Sequence, residues 1–173
     1  MLPIILTAAV ILADQAVKIF CAQWLITLNG NTFVVIKDVF HLTYIENRGA
    51  AFGMLQNARW LFITVTFIAC AVLVFLLIRD RKKMHTLMRV CFALILAGAL
   101  GNLIDRVFLG YVRDMFYFVP IDFPVFNVAD SAITIGFVIL ILDVLFFKGK
   151  DYFESFFSSD KKARGGNAPE NQV

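Results

Sequence analysis

Trp60-Leu-Phe-Ile-Thr-Val-Thr-Phe-Ile-Ala-Cys-Ala-Val-Leu-Val-Phe-Leu-Leu-Ile78 runs directly into Arg79-Asp80-Arg81-Lys82-Lys83. A bilayer's hydrocarbon takes about 20 apolar residues to cross as a helix, and the uncharged run is that long. The cations behind it give the direction, because Lys and Arg collect in cytoplasmic connections. Outward from 59–78, three further runs have the same character: about 2–26, 87–108 and 127–147. The expected fold class is therefore a membrane all-α protein, a four-transmembrane-helix bundle with a small β element.

Composition agrees. Of 173 residues, 60% are hydrophobic and 17% charged, against about half and a quarter in soluble domains. The net charge of +3 is unevenly placed. Arg79, Arg81, Lys82, Lys83, Arg89, Lys148, Lys150, Lys161, Lys162 and Arg164, ten of the sixteen Lys and Arg, fall on one side of the spans. Connections 27–58 and 109–126 hold only Lys37, Arg48 and Arg113. The expectation is a multi-pass protein with both termini in the cytoplasm and these two connections outside. The first run lacks a basic start and a small-residue cleavage site, so it reads as a retained helix. Cys21, Cys70 and Cys91 sit in or beside apolar runs and read as packing residues. His41 and His85 have no metal-ligand spacing, so neither metal nor cofactor is expected, and nothing suggests nucleic acid.

Residues 33–45 are rich in β-branched and aromatic types and read as two strands turning near Lys37-Asp38. With the Gly49 and Gly53 turn that follows, they predict an extracytoplasmic β-cradle over about 30–55. Connection 109–126 carries Pro120 and Pro124 and reads as a loop. Residues 1–150 are expected to form one four-span domain. Over 151–173, Tyr152, Phe153, Phe156 and Phe157 suggest a cytoplasmic interfacial helix before a disordered polar tail.

The polar residues near the spans carry the chemistry. Asn102, Asp105 and Arg106 share a helix face at the outer end of the third span. Asn127 and Asp130 do the same on the fourth. Asn47 and Asp114 come from the two outer connections, so three chain regions bring these groups to one depth. Asp105 beside Arg106 reads as a paired structural carboxylate, and Asn102 as a bond across helices. Arg113 is expected to reach lipid phosphates, and Asp143 to lie at the interface near Lys148. Asp14 and Lys18, at i and i+4, pair within one helix and serve either positioning or chemistry.

Asp114 and Asp130 have no cation at pairing distance. Two carboxyls that approach each other cannot both ionise easily and hold one proton between them. That state activates water with one carboxylate and protonates a carbonyl or amine with the other. A proton-coupled transporter would use acids too, but near the bilayer midplane, where only Asp14 is expected. A scaffold of the same fold without activity is a third possibility.

At these residues the sequence resembles the bacterial lipoprotein signal peptidases, the type II signal peptidases. The matching stretches are Asp14-Gln-x-x-Lys18, Asn47-x-Gly-Ala-Ala-Phe52, Gly101-Asn-Leu-Ile-Asp-Arg106, Val112-Arg-Asp114 and Phe126-Asn-x-Ala-Asp-Ser131. Met115 departs from a phenylalanine frequent in the family. The resemblance implies an intramembrane aspartic endopeptidase of the bacterial inner membrane, with its active site at the outer face. Such an enzyme removes signal peptides from diacylglyceryl-modified prolipoproteins, on the amino side of the lipid-bearing cysteine. It implies a catalytic pair at Asp114 and Asp130, support from Asn47, Gly49, Asn102, Asp105, Arg106 and Asn127, and positioning by Asp14 and Lys18. The implied partners are prolipoproteins and membrane lipids, met by a monomer.

Overall fold

The computed structural model describes residues 1–49 and 54–156. The expected turn at 50–53 and the tail from 157 onward lie outside the described residues. Four helices are long and apolar enough to cross a membrane: α1 (Leu2–Leu25), α2 (Arg59–Arg79), α3 (Thr86–Phe108) and α4 (Val128–Phe146). Three strands, β1 (Thr32–Ile36), β2 (Phe40–Asn47) and β3 (Val112–Phe118), form one antiparallel sheet in that order.

α3 is the central helix and packs against the other three. It alone buries residues around much of its circumference; α2 buries only Cys70. Such an asymmetry fits helices whose outer faces meet lipid, where apolar side chains need no protein cover. The centre of the bundle is built on small residues. A Cβ on Gly98 would run into the Ala129 carbonyl oxygen, and one on Gly136 would stand 2.8 Å from Ile95 Cγ1. α3 and α4 therefore meet backbone to backbone, the geometry small residues permit between membrane helices. All three cysteines are buried and free, as packing residues should be.

β1 and β2 form the expected hairpin, with Thr32 opposite Thr43 and Val34 opposite His41. Segment 109–126 departs from the loop expectation. After Gly110 turns the chain at φ 87°, β3 pairs with β2 from Asn47–Val112 to Phe40–Phe118. The prolines lie beyond the strand. Pro120 sits in a short 3-10 turn, and Pro124 on the return that bridges Phe126 to Phe116. The seven residues Val-Arg-Asp-Met-Phe-Tyr-Phe carry the strand pattern themselves, so the prolines limit it without preventing it.

The return delivers the chain to Asn127, which caps α4. Its side chain accepts from the Asp130 amide, and the Asp130 side chain accepts from the Asn127 amide. This reciprocal capping box fixes where α4 begins. That start is deep. Asp14, midway along α1, accepts from the Ala129 amide at 2.9 Å, and Gln15 donates to the Gly101 carbonyl at 3.2 Å. α3 continues seven residues past Gly101, about 10 Å at 1.5 Å per residue. The first turn of α4 is thus sunk below the end of its neighbour.

At the opposite end Asp143 departs from its expected place beside Lys148. It is buried, with Oδ1 2.9 Å from His85 Nε2. Residues 149–156 are helical. Tyr152 packs with Met84, Met88 and Phe92 and donates to Asp80 at 3.0 Å.

Gly98→Ala is expected to cost about 1–3 kcal/mol through overpacking, because the obstacle is a backbone carbonyl. Thermal unfolding in detergent should show a clear drop in Tm. Gly30→Ala, with open space around it but φ 68°, should cost about 1–2 kcal/mol through backbone strain alone.

Candidate active site

Asp105 and the two remaining aspartates differ in what they face. Asp105 takes Arg113 as a fork: Oδ1 accepts from Nη2 at 2.7 Å, and Oδ2 from Nε at 3.2 Å and from the Arg113 amide at 3.0 Å. Lys18 Nζ stands 3.5 Å from the same carboxylate and 2.9 Å from Asp14 Oδ2. Asp14, Lys18, Asp105 and Arg113 thus alternate in sign along one buried chain, which is how charges survive without water. Gln15 ties the chain together, donating to Asp105 and accepting from Arg113.

Two expectations are corrected here. Asp105 pairs with Arg113 and Lys18, and Arg113 turns inward to this acid, not outward to lipid. The strand explains the second. Adjacent residues of β3 point to opposite faces, so Arg113 must leave the face on which Asp114 lies. Had 112–118 been read as a strand, that alternation would have found it. Lys18 and Asp14 do pair within α1, as their spacing suggests.

Arg106, released from Asp105, stacks over Phe62 at 4.8 Å and donates to the Gly49 carbonyl at 3.2 Å. The Gly49 amide in turn donates to Asn47 Oδ1 at 3.0 Å, and a Cβ at Gly49 would collide with the Met54 carbonyl oxygen. Arg59 had no sequence signal. It donates to the carbonyls of Arg106 and Val107 at 2.8 and 2.7 Å, placing a cation on the negative end of α3.

Among the described residues, Asp114 and Asp130 accept only from amides. Asn127 Nδ2 reaches Asp114 Oδ1 at 2.6 Å, and Asn47 Nδ2 reaches Oδ2 at 3.0 Å. Asn102 Nδ2 reaches Asp130 Oδ1 at 2.7 Å, and the Asn127 amide reaches Oδ2 at 3.2 Å. Among the described residues neither acid makes an ion pair. The amides have their own orientation fixed: Asn102 Oδ1 accepts from Lys18 at 2.9 Å and from Asn127 at 3.1 Å. Side-chain oxygens held this way leave nitrogens aimed at the two carboxyls.

Both acids line one cavity of about 580 Å³, with Asn47, Gly49, Asn102 and Arg106 on one side and Phe123–Phe126, Thr134 and Ile135 on the other. Part of this wall, Phe123–Phe126, lies on the return segment after β3, and Thr134 and Ile135 come from α4. Burial pushes the Asp114 carboxyl up to about 7, the charge of Asp130 adds to the rise, and the Asn47 and Asn127 bonds oppose it. A cation partner would hold a carboxylate ionised at all working pH. Neutral amide donors favour the carboxylate less than a cation does, so burial leaves Asp114 able to hold a proton near neutral pH.

A family model described as signal peptidase (SPase) II matches residues 6–146. The chain is 46% identical over 150 residues to a lipoprotein signal peptidase of Clostridioides difficile (strain 630), across 87% of this chain and 99% of that one. To the lipoprotein signal peptidase of Brevibacillus brevis it is 48% identical over 146 residues, across 84% and 95%. A bacterial membrane enzyme solved by the in meso method at 2.3 Å resolution superposes with TM-score 0.76 at 34% identity, covering 99% of this chain and 93% of that one. A second such structure, at 1.9 Å, gives TM-score 0.73 at 37% identity, covering 83% and 92%.

Lys18→Met should cost about 3–5 kcal/mol, because it strands Asp14 without a cation and takes from Asp105 one of its two. Chemical or thermal unfolding in detergent measures the loss. Adding Asp14→Asn should restore part of it, and a fully additive double variant would contradict the chain of alternating charges.

Proposed function

The chain belongs to the signal peptidase II family, the aspartic-type peptidases that remove signal peptides from prolipoproteins, and we propose that Asp114 and Asp130 are its catalytic pair. The observation that carries this is their company: two buried acids on one cavity, each held, among the described residues, by neutral amides alone. The pair shares one proton, and the cycle is written with it starting on Asp114, whose carboxyl burial raises to about 7.

Water between them loses a proton to Asp130 as its oxygen attacks the scissile carbonyl carbon. Asp114 gives its proton to the carbonyl oxygen, leaving a neutral gem-diol. Asp114, now a carboxylate, takes a proton back from one hydroxyl. Asp130 delivers its proton to the departing nitrogen, and the C–N bond breaks. Each acid ends as it began, with a new carboxyl on the signal peptide and an amine on the lipid-modified cysteine. Arg106 offsets the single negative charge that the pair keeps throughout. Asn47, Asn102 and Asn127 aim the carboxyls, Gly49 gives close approach at the rim, and Asp14 and Lys18 hold the first turn of α4 in place.

Residues 1–150 act as one unit, and a single chain supplies both acids, which supports a monomer. The cations around 79–89 and 148–150 support an arrangement with that end and both termini in the cytoplasm of a bacterial inner membrane. The sheet and the cavity then face outward. A signal helix would lie in the bilayer against the bundle, its acyl-bearing cysteine at the level of the recessed α4 start.

Asp114→Asn and Asp130→Asn should each lower cleavage of a diacylglyceryl-modified prolipoprotein at least about a thousandfold, with unfolding temperatures near that of the parent. Full activity in either variant removes the assignment. The sign of the pH response follows from Asp114: below about pH 7 it holds its proton, and above that it loses it. kcat/KM should therefore fall on the alkaline side with an apparent pKa near 7.

A further inference from the structure

At the end of the bundle away from the sheet, α1 and α2 each lie along α3 and leave a cleft of about 820 Å³ between them. Ligand pockets run from roughly 300 to 1,000 Å³. Its walls are apolar, with Ile4 and Ile11 from α1 and Val74 and Ile78 from α2. Its mouth is not: Arg81, Lys82 and Arg89 all line it. The catalytic proposal uses none of these residues.

The cations here are unanswered. Among the described residues, Arg81, Lys82 and Arg89 make no ion pair. Asp80 is engaged by Tyr152 and Lys83, at 3.0 and 3.6 Å, and Asp143 holds His85 through Oδ1, while its Oδ2 is buried without a partner among the described residues and forms no ion pair with these cations. Arg89 donates through Nη2 to Thr86 Oγ1 at 3.2 Å, but its Nε is shut from water with no hydrogen-bond partner. A buried donor left without a partner is costly, and such groups in native proteins have a reason. Arg89 also sits at the start of α3, where the first turn holds no acid and the helix dipole is positive. A cation in that place is stable when an anion joins it.

We infer that this cleft binds one anionic glycerophospholipid from the adjoining leaflet, its phosphate against Arg81, Lys82 and Arg89 and an acyl chain along the apolar walls. Charge complementarity selects the headgroup, and the continuity of apolar walls with a cationic mouth selects a lipid over a free anion. Basic pockets between membrane helices recognise lipid headgroups in this way. A signal peptide is disfavoured, because its amino-terminal region is itself basic.

The test is native mass spectrometry of the full-length, delipidated protein, titrated with phosphatidylglycerol and with phosphatidylcholine of matched chains. One phosphatidylglycerol should bind, at least about tenfold tighter than phosphatidylcholine. Arg81→Gln, Lys82→Gln and Arg89→Gln together should weaken it about a hundredfold, near fivefold per charge. Ala8→Trp, which fills the cleft and removes no charge, should also lose the lipid. Retained cleavage in detergent checks the fold of both variants. Equal binding of the two lipids, or unchanged phosphatidylglycerol binding in either variant, overturns the proposal. So does displacement by millimolar inorganic phosphate, which would make it a free-anion site, or by a basic signal peptide, which would make it a substrate groove.

Discussion

Lys18 sets an ammonium with no access to water where α1, α3 and α4 meet. It lies 2.9 Å from Asp14, which holds the first turn of α4, and 2.9 Å from Asn102, which holds Asp130. A bare charge at this depth would not be tolerated, so its neighbours are constrained in type and place. Asp14 must stay one turn before it, Asp105 must face it from α3, and Arg113 must answer Asp105. The position of the whole carboxyl pair follows from satisfying one cation.

That arrangement separates two kinds of acid within a few residues. Asp14 and Asp105 are consumed by cations and serve as fixed charges. Asp114 and Asp130 are given amides instead, which orient an oxygen and favour its charge less strongly than a cation would. The same chain thus uses one chemistry to hold the bundle and another to keep two groups titratable. Asn127 belongs to both, as the cap of α4 and as a donor to each acid of the pair. On the proposed assignment, preorganisation of this kind places the groups before substrate arrives, and so lowers what must be reorganised during reaction.

Much of this was legible beforehand, for reasons that differ by residue. The four spans and the β1–β2 hairpin follow from composition and local pattern, since lipid leaves the chain few alternatives. The depth shared by Asn47, Asn102, Asp114, Asn127 and Asp130 follows from topology, the lack of a cation at pairing distance singles out Asp114 and Asp130, and the resemblance implies a catalytic role for that pair. What sequence could not supply was lateral partnership. Asp105 adjoins Arg106 in the chain but meets Arg113 in space, across the turn at Gly110. Asp143 lies five residues from Lys148 yet meets His85 from another helix. Such choices are settled by which face each backbone segment turns inward, and for 112–118 that depended on a strand masked by later prolines.

The capping box has an implication for selection under an inhibitor. With Asp114 and Asp130 as the proposed catalytic pair, a compound that grips them also grips groups wired to Asn127, Asn102 and Lys18, so escape by changing either acid or its amides would cost activity or loosen the helix start that carries it. Tolerated variation is left to the apolar wall of Phe123–Phe126 and Ile135, whose side chains make no polar contact with the pair. Resistance would have to be written in shape, by narrowing or widening that wall, and a ligand that leans little on it would leave the bacterium few substitutions to try.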